Sequence, residues 1–239
     1  MDRRTFLGSL GGGFVAGVSG CLSTGPNRKR TTNDRQLDPR SGGRSETEFV
    51  SFAGETHERY GTSGIWGTAQ SEPAHELNFQ RAWTETLTHQ DGVQSEHVLA
   101  LYRLPSASDG TTASQVWLWS GIDPAGAGSV RRLKTGFTLD DAASLGIYSP
   151  GQDYSADETA TYPVESGRLD VDTLSAELPL PAGHVGVGEQ TQVGAGGAYF
   201  PYWDGDYGSA HGLAATTTIQ WEGLPTSALS WRIEVGMAP

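Results

Sequence analysis

Apolar and polar residues alternate with a period of two through most of the chain beyond residue 46. At the C-terminus Leu229, Trp231, Ile233 and Val235 share one face, and Ser230, Arg232 and Glu234 the other. That is the pattern of a half-buried strand. Thr217, Ile219 and Trp221 repeat it against Thr218, Gln220 and Glu222. Turn chemistry in Gly223-Leu224-Pro225-Thr226-Ser227 predicts a hairpin between the two. Upstream, Val98, Ala100, Tyr102 and Leu104 fall on one face of His97 to Leu104, with Leu99 and Leu101 on the other, so this strand is expected to be buried on both sides. Val116-Trp117-Leu118-Trp119 reads as a central strand, and Leu133, Phe137 and Leu139 mark another. Asp140 to Leu145 is expected to form one helical turn entered through Thr138. Glu76 to Thr88 fits either a long strand or an amphipathic helix. Turn signals roughly every 10–15 residues predict an all-β fold for residues 46–239, an antiparallel β-sandwich or barrel-like single domain with no repeat of fixed period.

The first 45 residues follow a different logic. Arg3-Arg4 precedes Thr5-Phe6-Leu7 and an apolar run to Val18, diluted by Gly8, Gly11, Gly12, Gly13 and Gly17. A membrane-spanning helix needs about 20 predominantly apolar residues, so this run does not make one. It closes on Val18-Ser19-Gly20-Cys21, and Cys21 is the chain's one cysteine. The segment resembles the twin-arginine lipoprotein signals, ending in a lipobox, that abound in extremely halophilic archaea. The resemblance implies export of a folded chain by the twin-arginine machinery, removal of residues 1–20, and a diacyl or diether lipid on the Cys21 sulfur. Two lipid chains anchor durably where one does not, at about 0.8 kcal/mol per buried methylene. The protein is then expected on the outer face of the cell membrane, outside the cytoplasm. Leu22 to Ser45 holds Pro26, Pro39, Gly42 and Gly43 and is apolar only at Leu22 and Leu37, so residues 21–45 are expected to be a disordered basic linker. Its Arg28-Lys29-Arg30 cluster suits anionic headgroups, and equally a plain spacer.

Charge sharpens that division. Residues 1–44 carry a net of +5 and residues 45–239 a net of −17, for −12 overall. Two lysines against 14 arginines, with excess carboxylates, resemble proteins adapted to near-saturating salt. At about 1 M salt the Debye length is about 3 Å, and crowded carboxylates scarcely repel. So acidic a body excludes nucleic acid as a partner, since that requires a basic footprint.

Most catalytic signatures are absent from the sequence. Gly208-Ser209-Ala210-His211-Gly212 is not a nucleophile elbow. The glycines of Gly183 to Gly188 lack the lysine of a phosphate loop and read as turn glycines. Six histidines, at 57, 75, 89, 97, 184 and 211, show no close pairing. The run Tyr199-Phe200-Pro201-Tyr202-Trp203-Asp204-Gly205-Asp206-Tyr207, with His211 beyond, is the one patch with binding chemistry. Its aromatic faces suit sugar rings, and Asp204 and Asp206 have the spacing that opens a calcium loop. The later ligand positions fall on Gly208 and Ala215, so the EF-hand pattern fails. A tight turn capping the core edge accounts for the same residues. Tyr60 and Trp66 fit a mobile loop or ordinary loop packing. The expectation is a non-enzymatic displayed domain, without cofactor, that binds a cell-envelope protein or polysaccharide. The alternative is a carbohydrate- or Ca²⁺-binding module, or a secreted hydrolase, using Tyr199, Tyr202, Trp203, Asp204, Asp206, Tyr207 and His211.

Overall fold

The computed structural model describes residues 29–65, 77–104, 111–165, 175–223, 225 and 228–239. Two antiparallel sheets pack face to face as a single β-sandwich. The chain runs β1 (Lys29–Leu37), α1 (Glu46–Tyr60), β2 (Asn78–Thr88), β3 (Gln94–Arg103), β4 (Thr111–Ile122), β5 (Ser129–Thr138), β6 (Ala143–Ser149) and β7 (Tyr154–Ala156). It continues with β8 (Ala160–Glu165), β9 (Ser175–Leu180), β10 (Gly183–Val187), β11 (Gly194–Ala195), β12 (Ala198–Tyr199), β13 (Pro201–Tyr207), β14 (His211–Glu222) and β15 (Leu229–Ala238). The first sheet has the order β1-β15-β5-β13-β10-β7, with β12 also on β5; the second has the order β11-β6-β14-β4-β3-β2. β8 and β9 form a separate two-stranded ribbon.

The periodicity places the strands, and β2 resolves the ambiguous segment as a strand. Leu118 and Trp119 are both buried because β4 sits between β3 and β14 with both of its faces covered. The inner face of the second sheet carries Leu99, Leu118, Leu213 and Ile219, and that of the first Leu133, Val185, Trp231 and Val235, all in one core.

Four expectations are corrected. The linker is not disordered throughout: Lys29–Leu37 pairs along its length with β15, from Lys29↔Met237 to Leu37↔Leu229. Its outward residues are polar, so the apolar alternation of a strand is missing, but the backbone completes the β15 edge and Leu37 is 1 % exposed. The hairpin between β14 and β15 does not exist. β14 pairs with β4 and β6, whereas β15 pairs with β1 and β5. Trp221 and Trp231, both on apolar faces, meet the same core from opposite sheets; alternation says which face is buried and not which strand lies alongside. Asp140 makes a turn, accepting from the Ala142 N–H at 3.0 Å, but the chain leaves it as β6. Gly183 to Val187 is strand β10, paired with β13.

The helix α1 falls outside the all-β expectation. Ser45 and Glu48 cap it reciprocally. Phe49, Phe52, Ala53, Thr56 and Tyr60 are its buried stripe. Phe49 stacks on Phe79 at 5.5 Å and Tyr60 meets Trp119 edge-on at 5.2 Å, so the helix covers the outer face of the second sheet.

One polar chain crosses the core. The His89 ring lies 3.0 Å from the Thr31 hydroxyl on β1 and 2.7 Å from Ser95, and His97 lies 2.7 Å from Ser95 and 2.8 Å from Ser120. Each ring nitrogen therefore has a partner, as burial requires. Burial pushes the His97 ring down to about 3 and the His89 ring down to about 4.

Candidate functional site

β13 is the strand that carries most of the aromatic run, and its pleat divides that run between two environments. Trp203 points inward and is 1 % exposed. Its ring packs edge-on against His211 at 4.5 Å, and Tyr207 meets the same imidazole at 5.3 Å. His211 Nδ1 lies 3.2 Å from the Ser209 carbonyl, and burial holds the ring down to about 4. Tyr199, on β12, is also internal: its hydroxyl donates to the Pro150 carbonyl at 3.2 Å, and its ring lies 4.9 Å from that of Tyr148. Trp203, His211 and Tyr199 are buried in the interior, and Tyr207 is half-buried against it. Tyr202, Asp204 and Asp206 remain on the outer face of the first sheet. Of the second aromatic group, Tyr60 ends α1 against Trp119, and Trp66 lies outside the described residues, as do Arg3, Arg4 and Cys21.

The outer face acquires its charge from β5. Arg132 lies opposite Gly236 on β15, and Val130 is already opposite Met237, so Arg131 is an extra residue without a β15 partner. Such a bulge re-aims side chains. Arg131 takes the Asp206 carboxylate at 2.6 Å, and Arg132 takes Asp204. Arg132 also approaches Glu234 at 2.9 Å, and Arg30 reaches the same carboxylate from β1 at 3.2 Å. The two aspartates of the calcium reading are thus partnered by guanidinium groups, which compete with any cation. Among the described residues no three His, Cys, Asp or Glu side chains gather as a metal site.

Aromatic rings are set into this charged lattice. Arg132 stands over the Tyr202 ring at 4.9 Å, and the Lys134 ammonium stands over the Phe200 ring at 5.1 Å. Phe200 lies across Gly136, where a Cβ would collide with its ring and with the Tyr199 carbonyl oxygen. Lys134 is only 8 % exposed, and loss of water holds its ammonium below the ordinary lysine range. Beyond Tyr202 come His184 on β10, whose ring centroid is 5.7 Å away, and Ser155 on β7, whose hydroxyl is 2.9 Å from His184 Nδ1. Asp153 lies 3.8 Å from the other imidazole nitrogen.

His184, Asp153 and Ser155 escape a reading of the sequence because residues 153, 155, 184 and 202 become neighbours only through the pairing β7-β10-β13. The one sequence signal was the glycine density of Gly183 to Gly188, and it marks a strand with small residues rather than a turn.

No family model and no curated protein matches the chain. Among solved structures it is similar to one described as "Pore forming protein", at 5% identity with a TM-score of 0.39, covering 66% of this chain and 86% of that one. It is also similar to Clostridium perfringens delta-toxin, at 6% identity and a TM-score of 0.34, covering 66% and 73%. Likenesses this distant leave function to be read from the chain's own residues.

Proposed function

We propose that the protein is a lipid-anchored extracytoplasmic binding protein, held to the outer face of the membrane by Cys21. Its β-sandwich engages a cell-envelope component through the outer face of the first sheet. The observation that carries the binding role is the half-buried Tyr202 set among Arg30, Arg131, Arg132 and Arg232 on one sheet of a body whose net charge is −17. Arg3-Arg4 and the Val18-to-Cys21 lipobox support the address. Seven residues separate Cys21 from β1, a reach of at most roughly 25 Å, which keeps the sandwich close to the lipid surface.

Two measurements test this reading. Cys21→Ser should move the protein from the membrane fraction to the medium; retention on the membrane would remove the anchor. Tyr202→Ser should weaken co-sedimentation with washed envelopes about tenfold, the loss of one anchoring aromatic, with the melting temperature kept. Unchanged sedimentation would remove the face.

A second reading, hydrolysis at the same face, has one geometric fact in its favour: the Ser155 hydroxyl on His184 with Asp153 at 3.8 Å. Asp153 is 65 % exposed, so its carboxylate orients the ring weakly. A fluorophosphonate probe that labels Ser155 would promote this reading; absence of labelling would end it.

A further inference from the structure

The polar chain that crosses the core starts at Thr31 on β1 and turns on the Ser95 hydroxyl, 2.7 Å from a nitrogen of both His89 and His97. With a single hydrogen, Ser95 donates to one ring and accepts from the other. Either choice fixes the tautomers of both rings, and Thr31 and Ser120 complete the ends at 3.0 and 2.8 Å. One added proton keeps every bond: both His89 nitrogens then donate, to Thr31 and Ser95, and Ser95 donates on to His97. A second proton leaves Ser95 facing two donors with its own hydrogen unused. The chain therefore holds one extra proton, and loss of water opposes that proton rather than any missing partner.

The two rings differ in what restores the water. His97 is fully buried within the second sheet, between Glu85 on β2 and Ser120 on β4, so only a general opening of the sandwich wets it. His89 lies just beyond β2, and its polar contact with the first sheet is Thr31. β1 is an edge strand bonded to β15 alone, so it can leave singly and bare the His89 ring. The charged groups around this ring do not offset a proton. Lys29 and Arg35 share the Thr31 side of β1 and are cations. Glu85 on β2 is engaged by Arg35 at 3.1 Å, and Asp91 in the following turn is exposed. β3 contributes Ser95 and His97, and β15 places the apolar Val235 and Met237 opposite Thr31 and Lys29. Burial alone holds the His89 ring down to about 4.

We propose that β1 is an acid-released strap: protonation of His89 undocks the strand from β15 while the rest of the sandwich stays folded. Arg30–Glu234, Asp34–Arg232 and the buried Leu37 fasten β1 along its length and set the docking strength that acid works against. The docked strand refuses a proton that the released one accepts near 6.5. Docking is thus full above about 6.5 and weakens as pH falls, about 30-fold by pH 5. Under the anchoring reading above, release lengthens the tether between Cys21 and the body from seven residues to 24. Its reach grows from roughly 25 Å to roughly 80 Å.

Hydrogen–deuterium exchange of the full chain in detergent micelles tests the strap, with rates referred to unstructured peptides at the same pH. Amides of Lys29–Leu37 should be less protected than those of β4 throughout, and their protection should fall about 30-fold between pH 7.5 and 5. His89→Gln, which keeps a donor and an acceptor for Thr31 and Ser95, should hold β1 protection level over that range. His97→Gln should leave the fall in place. Should a melting curve show His89→Gln unfolded at pH 7.5, Thr31→Val provides the second arm. It should lower β1 protection about fivefold at pH 7.5, through loss of one hydrogen bond, and retain the fall with pH. Protection of β1 that follows β4 step for step overturns the strap, since the opening is then global. A fall unaltered by His89→Gln, or Thr31→Val protection equal to the parent's, overturns it as well. The anchor is read separately by the partition of Cys21→Ser, so either reading can fail alone.

Discussion

Tyr162 does with one hydroxyl what a neighbouring strand does with its backbone. The pairing of β6 with β14 stops at Ser149↔Thr216, and beyond it the Tyr162 hydroxyl donates to the Ala214 carbonyl at 3.0 Å and accepts from the Ala214 N–H at 2.9 Å. Tyr162→Phe leaves both backbone groups buried and unpaired, at a cost of about 1–3 kcal/mol. Denaturant unfolding should read this loss, and a change below about 0.5 kcal/mol would show that water takes over the role. Glycines differ in the same physical terms. At Gly136 the obstacle to a methyl group is partly the backbone of Tyr199 and Phe200, which cannot yield, so Gly136→Ala should destabilise by about 1–3 kcal/mol where Gly186→Ala does not. The buried histidines set the response to acid. His97 and His211 stay neutral in the folded chain down to about 3 and about 4, against 6.5 when unfolded. Between those limits the unfolded state binds protons that the native state refuses. Stability is therefore full above about 6.5 and lost as pH falls, at about 1.4 kcal/mol per pH unit for each ring. His89 acts in the same direction. Melting curves from pH 7 to 4 should show the decline, and His97→Gln should flatten it; a slope unaltered by that variant would assign the acid sensitivity elsewhere.

At the scale of elements, β1 and α1 carry the lesson. Both lie upstream of the first strand that hydrophobic alternation detects, and each announces itself differently. α1 was missed although its signals are present: Ser45 and Glu48 have capping-box spacing, and Phe49, Phe52, Ala53, Thr56 and Tyr60 fall on one helical face. Ser45→Ala should cost about 1 kcal/mol, visible as a lower unfolding midpoint. β1 was not legible, because an edge strand with an exposed outer face needs few apolar residues, and a basic, proline-flanked segment meets every compositional criterion for disorder. Its place depends on the unpaired edge of β15, the Leu37 contact and the Thr31–His89 hydrogen bond. A chain begun at Glu46 should therefore melt well below one begun at Lys29. Loss of the Leu37 burial alone removes about 1.5–3 kcal/mol. The bared β15 edge should also promote self-association on size-exclusion chromatography. Equal stability and a monomeric profile for the shorter chain would make β1 ornamental.

For the whole molecule, charge is the quantity that no single element explains. A net of −17 beyond residue 44 opposes compaction, while the visible ion pairs on the first sheet are partly solvated and contribute about 0–1 kcal/mol each. Salt weakens both, and the repulsion is the larger. The melting temperature should accordingly rise as potassium chloride approaches about 1 M, where the Debye length is about 3 Å. A fall would mean that the Arg131–Asp206 and Arg132–Asp204–Glu234 lattice outweighs the field of the remaining carboxylates. The polarity of the molecule has a second consequence. The acidic surface is interrupted on the outer face of the first sheet, whereas α1 covers the outer face of the second, so the two sheets are not equivalent as surfaces for a ligand.

Sequence alone was sufficient for what depends on near neighbours: the period-two burial, the central position of Val116 to Trp119, and the acidic body. These follow from residues within one turn or one pleat of each other. Tertiary structure alone decided what depends on which edge meets which edge. Pairing is a contest among backbones of equal hydrogen-bonding capacity, and side-chain alternation does not name the winner. It therefore took the fold to separate β14 from β15 and to recruit β1 from an apparent linker. The fold also turned Trp203 and His211 into core while leaving Tyr202 outside. It brought Asp153, His184 and Tyr202, spread over some fifty residues of chain, to within about 3 Å of the point a Cβ of Gly186 would occupy.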